Sequence, residues 1–157
     1  MKVIFLDIDG VLNTPSSESR CGEYVGIDDD KVERLKQIVE KTKAEIVLIS
    51  TWKKYWRKEE KLKPLQDYSA NYLDEKLAKQ GLKAIDKTKD KADGRYLSRG
   101  ESILEYVYRN NVENYIILDD CQFDYDGCDL TDNYIKTNQI EGLSEQQVKV
   151  ACETLLR

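Results

Sequence analysis

Apolar runs of strand length alternate along this chain with stretches of helical periodicity, and that alternation leaves few folds open to it. Val3–Ile8, Glu45–Ser50 and Tyr115–Asp119 are short and largely apolar until their last residues. Runs of that kind belong to strands covered on both faces. Lys83–Thr88 and Tyr134–Thr137 are weaker strand candidates. Between the runs, Asp28–Asp30 opens a helix with Val32, Leu35, Ile38 and Val39 on one side, and aspartates suit a helix start. Pro64 fits the first turn of another helix, with Leu65, Tyr68, Tyr72 and Leu77 as its apolar stripe and Gly81 as its stop. Ser98 with Glu101, and Ser144 with Gln147, read as capping boxes. They stand ahead of Ile103, Leu104 and Val107, and of Val148, Ala151 and Leu155. Strands alternating with helices mean an α/β fold: a parallel sheet, right-handed crossovers and helices on both faces. Asn13–Ile27 reads as a polar flap and Lys89–Leu97 as a loop. With no linker or repeat in view, residues 1–157 are expected to form a single domain.

Ligands of such sheets bind beyond the carboxyl ends of the strands, and there the chain concentrates acids and hydroxyls. The first strand ends in Asp7-Ile8-Asp9-Gly10. Residues two apart on a strand share a face, so Asp7 and Asp9 are expected side by side. Crowded carboxylates repel unless a cation or a shared proton relieves them, and Mg²⁺ is a natural partner for hard oxygen ligands. One carboxylate can then act as nucleophile and the other as proton donor. Another strand closes in Asp119-Asp120, and the one before it in Ser50-Thr51. Adjacent residues on a strand face opposite ways, so one of Asp119 and Asp120 is expected to meet Asp7 directly.

Composition removes several chemistries. There is no histidine, so Ser-His-Asp and Cys-His catalysis and histidine-containing zinc sites are excluded. The four cysteines, Cys21, Cys121, Cys128 and Cys152, form no C-x-x-C pair and read as reduced, structural or incidental. A net charge of −5 means that a polyanion would need a local basic patch. No apolar stretch approaches the ~18 residues of a membrane span. The N-terminal apolar run is too short for a signal peptide, and a soluble, cytoplasmic protein with no obligate protein partner is expected.

Taken in order, these segments resemble the motifs of the haloacid dehalogenase (HAD) superfamily, mostly Mg²⁺-dependent phosphatases that pass through an aspartyl-phosphate. Asp7-x-Asp9-Gly10-Val11-Leu12-Asn13 matches motif I; Ser50, with Thr51 as alternate, matches motif II; Arg99, in place of the commoner lysine, matches motif III; Asp119-Asp120 matches motif IV. Lys89 and Lys91 are the other candidates for the motif III cation. Ser50-Thr-Trp-Lys-Lys, Arg99-Gly-Glu-Ser-Ile-Leu-Glu-Tyr, Ile-Leu-Asp119-Asp120 and the Thr137 to Gly142-Leu143 segment resemble, more narrowly, the HAD domain of Swiss Army knife RNA repair proteins. The resemblance implies a three-layer Rossmann-like core, a five-stranded parallel sheet of order 3-2-1-4-5, and no full cap domain. It also implies roles: Asp7 as nucleophile, Asp9 as acid and base, Ser50 and Arg99 on the phosphoryl oxygens. Mg²⁺ would be held by Asp7, the Asp9 main chain and Asp119 or Asp120.

Thr51–Lys63 interleaves Trp52, Tyr55 and Trp56 with six lysines and arginines, beginning with Lys53 and Lys54. Such a pattern can stack bases and track phosphates, which makes Thr51, Trp52, Lys53 and Lys54 candidate substrate contacts. It equally describes an amphipathic helix that packs its tryptophans and solvates its lysines, and that reading is preferred. The expected activity is hydrolysis of a phosphate monoester, on a nucleotide, another small ester or a nucleic-acid end. A non-enzymatic Mg²⁺- or phosphate-binding interaction domain is the alternative.

Overall fold

The computed structural model describes Met1–Arg157. Five strands form one parallel sheet: β1 (Lys2–Leu6), β2 (Glu45–Leu48), β3 (Ala84–Lys87), β4 (Asn114–Asp119) and β5 (Tyr134–Lys136). Their spatial order is β3-β2-β1-β4-β5, with every pairing parallel. Order therefore reverses on either side of β1, so a crevice is expected beyond its carboxyl end.

The sheet alternates strictly. Ile4, Leu6, Ile46, Leu48, Ile116 and Leu118 enter one core of 26 buried residues, with α1 (Asp29–Thr42), α2 (Tyr68–Ala78) and α4 (Glu145–Leu155). Val3, Phe5, Val47, Ile49 and Ile117 enter a second core of nine residues, against Ile103 and Tyr106 of α3 (Arg99–Arg109). These are the three layers of an α/β sandwich. Both capping boxes form, Ser98 with Glu101 and Ser144 with Gln147. All four cysteines are free. No helix is long and apolar enough to cross a membrane.

Three expectations need correction. No helix starts at Pro64. Glu60–Leu65 is a 3₁₀ turn, and α2 begins at Tyr68, where the Asp67 carboxylate accepts the Ala70 N–H at 2.8 Å. Counting from Asp67 instead of Pro64 rotates the stripe: Ala70, Leu73 and Leu77 are buried, whereas Leu65 and Tyr68 are exposed. Thr51–Lys63 is likewise not one amphipathic helix. A single turn at Thr51–Lys53 is followed by irregular chain that buries Trp56, whose Nε1–H donates to Asp74 at 2.9 Å. Lys89–Leu97 holds a small hairpin, Lys91–Ala92 with Arg95–Tyr96, turned by Asp93 and Gly94 at φ 52° and 74°. Asp-Gly between two short arms is a hairpin signal in its own right, and here it outweighed the polar composition. The Asn13–Ile27 flap carries a second hairpin, Arg20–Cys21 with Tyr24–Val25.

Candidate active site

The ladder runs one residue past β1, because the Asp7 N–H donates to the Leu118 carbonyl at 2.9 Å. Asp7 therefore inherits the face of Val3 and Phe5. Asp119, two beyond Ile117, shares that face at the end of the neighbouring strand. Both are buried, and Asp119 is fully so. Asp120 reaches the same point from the turn beyond β4: carboxylate oxygens of Asp7, Asp119 and Asp120 lie within 4.8 Å of one another. Alternation along β4 would have kept Asp120 away, but the strand has already ended there.

Asp9 is the correction at this site. It does not sit beside Asp7. After Ile8 the chain enters a tight turn, with the Val11 and Leu12 N–H groups both donating to the Ile8 carbonyl. The Asp9 side chain swings outward, accepting from Asn13 Nδ2 at 2.9 Å and Trp52 Nε1 at 3.1 Å. Asn13 also accepts the Gly10 N–H at 3.0 Å and donates to the Gly26 carbonyl at 2.8 Å, which ties turn, flap and Asp9 together. Gly10 has φ 83°, and a Cβ there would collide with the Asp120 carboxylate. Glycine is thus required twice over, by the left-handed backbone and by the close approach.

Arg99 is the cation of the cluster. Its Nη1 lies 2.9 Å from Asp119 Oδ2 and 3.5 Å from Asp7 Oδ1. A cation on the first residue of α3 opposes the helix dipole, and the two carboxylates are what hold it there. Burial works against its charge, but Asp7 and Asp119 outweigh burial and raise its pKa. Its guanidinium also stacks 4.1 Å from the centre of the Phe123 ring. Lys89 and Lys91 are engaged elsewhere, with Glu105 and over the Tyr96 ring. Asp119 is held on both oxygens: Oδ1 accepts the Cys121 N–H at 2.9 Å, and Oδ2 accepts the Tyr125 hydroxyl at 2.6 Å besides Arg99. Burial and the neighbouring Asp119 push the Asp7 carboxyl from its ordinary 3.8 up to about 8, although Arg99 opposes them. Three converging carboxylates with an unfavourable excess of negative charge fit a small hard cation, and the all-oxygen donor set fits Mg²⁺.

The Ser50-Thr51-Trp52-Lys53-Lys54 run is divided by the fold. Ser50 is buried, and its Oγ accepts the Trp52 N–H at 3.2 Å. Thr51 and Lys54 stay exposed at the rim. Trp52 is half-buried and spends its indole N–H on Asp9. Lys53 turns inward to Thr88 and, at 2.9 Å, to Asp90; burial lowers the pKa of its ammonium.

Some contributors were not singled out from sequence. Tyr125 and Phe123 lie in a stretch without periodicity, and nothing in their spacing points at the site. Asn13 was quoted within the motif, but its cross-links needed coordinates. The Thr137–Leu143 segment also gains a structural role. Thr137 Oγ1 donates to the Gly10 carbonyl at 2.7 Å, and the Leu143 N–H donates to the Val11 carbonyl at 2.8 Å, clamping the turn that carries Asp9.

Residues 3–148, which include nearly all of the sheet and all of the site, match the family described as the HAD domain in Swiss Army Knife RNA repair proteins. No curated protein and no solved structure matches the chain. The parallel sheet of order 3-2-1-4-5 and the acids at its carboxyl edge agree with that match, and the chain belongs to the HAD domain family of the Swiss Army knife RNA repair proteins.

Proposed function

We propose that this chain is a Mg²⁺-dependent phosphatase that hydrolyses phosphate monoesters, on nucleotides or nucleic-acid ends, through an aspartyl-phosphate. The observation that carries the reading is the buried cluster of Asp7, Asp119 and Asp120 with Arg99 against it. A single carboxylate in such a place would be an ordinary buried ion pair; three with one arginine leave room for a divalent cation and a phosphoryl group. Asp7, Asp119 and Asp120, with the Asp9 main chain, would hold Mg²⁺, which supplies charge neutralisation for the carboxylates and the phosphoryl oxygens.

Asp7 is the nucleophile. One of its oxygens bonds to phosphorus as the bond to the leaving oxygen breaks. Asp9, aimed by Asn13 and Trp52, gives that oxygen a proton. It then takes a proton from the water that attacks the aspartyl-phosphate, and inorganic phosphate leaves as Asp7 is regenerated. Arg99 and the Ser50 hydroxyl hold equatorial oxygens as charge shifts onto them. No large insertion encloses this edge of the sheet; the flap hairpin, the Thr51–Lys54 turn and the segments carrying Phe123, Tyr125 and Thr137 border it. An open centre gains little from a small leaving portion, so phosphates on larger, base-containing molecules are expected to give the higher kcat/KM.

Hydrolysis of an aryl phosphate tests the reaction class. Turnover is expected to require Mg²⁺, to vanish with a chelator and to return when Mg²⁺ is added back. Full activity in chelator-treated, metal-free buffer would remove the mechanism.

A further inference from the structure

One cleft opens beside Arg99, and a second adjoins it, sharing two lining residues. The first, about 400 Å³, is lined by Arg99, Phe123, Thr51, Lys53 and Lys54 and reaches Thr88 and Asp90 on its far side. The second, about 660 Å³, begins at the same Thr88 and Asp90 and runs past Arg57, Lys58, Lys87 and Lys91 to Tyr96. Together they make one channel leading away from the reaction centre. Nine lysines and arginines line it against three acids, in a chain whose net charge is −5. The local sign is therefore opposite to that of the whole, which is how a fold steers one class of ligand without binding polyanions everywhere.

Several of these cations are already used. Lys53 is held by Asp90, Lys58 by Asp86 and Arg109 by Glu105. Lys87 donates to main-chain carbonyls of Lys53 and Trp56. Lys54, Arg57 and Lys91 pair with no carboxylate, and Arg57 Nε is buried without any hydrogen-bond partner. A desolvated, unpartnered guanidinium N–H is costly unless a ligand accepts from it. Aromatic surface stands at both ends of the channel. Phe123 is half exposed beside Arg99, and Tyr96 is 73% exposed with the Lys91 ammonium 4.3 Å from its ring centre. Inorganic polyphosphate would need the cations alone. Cations flanked at both ends by partly exposed rings suit a chain that carries both phosphates and bases. Thr51 links the channel to the other side of the centre, since it also lines the smaller cleft that holds Asp9, Trp52 and Tyr24.

We infer that this channel binds the single-stranded nucleic acid whose terminal phosphate reaches the centre, with Lys54, Arg57 and Lys91 on successive phosphates and Tyr96 under a base. The inference deepens the phosphatase reading, and its test is chosen to need no turnover.

Fluorescence anisotropy of full-length Asp7→Asn protein with Mg²⁺, titrated into labelled single-stranded oligonucleotides bearing a terminal phosphate, measures binding alone. RNA and DNA arms distinguish the two sources of that chemistry. Affinity is expected to rise with oligonucleotide length until the channel is filled. Adding Lys54→Gln, Arg57→Gln and Lys91→Gln together should weaken it at least tenfold. The slope of log affinity against log salt should fall by about two, since each phosphate contact on a single strand contributes about 0.7. Tyr96→Ala should weaken oligonucleotide binding and leave binding of inorganic polyphosphate unchanged. Melting curves check the fold. Should the triple variant melt early, Lys54→Gln and Lys91→Gln singly, both at exposed side chains, are each expected to remove about 0.7 from the slope. Unchanged affinity and slope in these variants overturn the inference, as does equal affinity for oligonucleotide and polyphosphate that ignores Tyr96→Ala. Loss of Mg²⁺-dependent turnover with binding intact would strike the phosphatase reading and leave the channel standing.

Discussion

Replacing Asp7 with asparagine is expected to abolish turnover and, in Mg²⁺-free buffer at pH 8, to raise the melting temperature. The first effect follows from removing the proposed nucleophile; losses of about 10⁴-fold or more accompany such changes. The second follows from electrostatics. In the metal-free fold the Asp7 carboxyl is pushed from 3.8 up to about 8 by burial and by Asp119. Between those two values the folded chain holds a proton that the unfolded chain has released, so stability falls as pH rises through the window. Below about pH 4 both states are protonated and the penalty is absent; above about pH 8 it is present in full. Asparagine is nearly isosteric and carries no charge, so its melting temperature should lose this pH dependence and exceed that of the wild type by several degrees at pH 8. Mg²⁺ should narrow the gap by stabilising the wild type more than the variant. Thermal melts across pH, with and without Mg²⁺, read all of this. A variant less stable than the wild type at pH 8 without Mg²⁺ would mean that Asp7 is not under electrostatic strain.

Arg99→Ala is expected to produce the opposite imbalance: a protein that is both inactive and much less stable. Arg99 is the cation that faces Asp7 and Asp119, and Asp119 is wholly buried. Removing one partner of a buried pair leaves an uncompensated charge and costs about 3–5 kcal/mol. Relief of the unfavourable dipole at the start of α3 returns only about 0.3–1 kcal/mol, so the loss wins. Loss of the stack on Phe123 adds to it. On the proposed reading Mg²⁺ would supply a replacement charge beside the same carboxylates and should restore part of the stability but little of the activity, because the proposed contact with the transferring phosphoryl group is gone. Urea unfolding with and without Mg²⁺, alongside aryl-phosphate kinetics, separates the two. An Arg99→Ala protein as stable as the wild type without Mg²⁺ would show that the pair contributes nothing net.

Much of the fold could be read from sequence because the strands of β1, β2 and β4 are apolar enough to be legible one at a time, and because capping boxes announce α3 and α4. The strand order came through the family resemblance, since periodicity alone does not rank strands. The errors share a cause. Pro64 and Asp67 both make plausible helix starts, and only packing of Ala70, Leu73 and Leu77 decides between them. In Thr51–Lys63 the burial of Trp56 and Lys53 depends on Asp74, Thr88 and Asp90, partners that lie far away in sequence. At the site, Asp7 and one of the Asp119-Asp120 pair were legible from the strand ends and Arg99 through the resemblance, but strand parity left out the other acid that the fold also brings in. The position of Asp9 was not legible. Strand parity placed it beside Asp7, but the strand had ended, and the turn built by Gly10 and Asn13 carried its side chain to Trp52 instead. Tyr125 and Phe123 could not be found at all, because a ring aimed at a carboxylate or a guanidinium leaves no trace in spacing.

The covalent step is the point on which the proposed chemistry stands or falls. Asp9→Asn keeps the proposed nucleophile and removes the proposed acid and base, an effect worth typically about 10²–10⁴-fold. With a good leaving group that needs no proton, Asp7 should still be phosphorylated, and the adduct should persist because no base activates water. Rapid quenching of Asp9→Asn protein with such an aryl phosphate and Mg²⁺, followed by peptide mapping, is expected to find one phosphoryl group per chain, on Asp7, and none when Asp7→Asn is added. A phosphoryl group mapped to any other residue, or its incorporation into the Asp7→Asn protein, would contradict the proposed reaction.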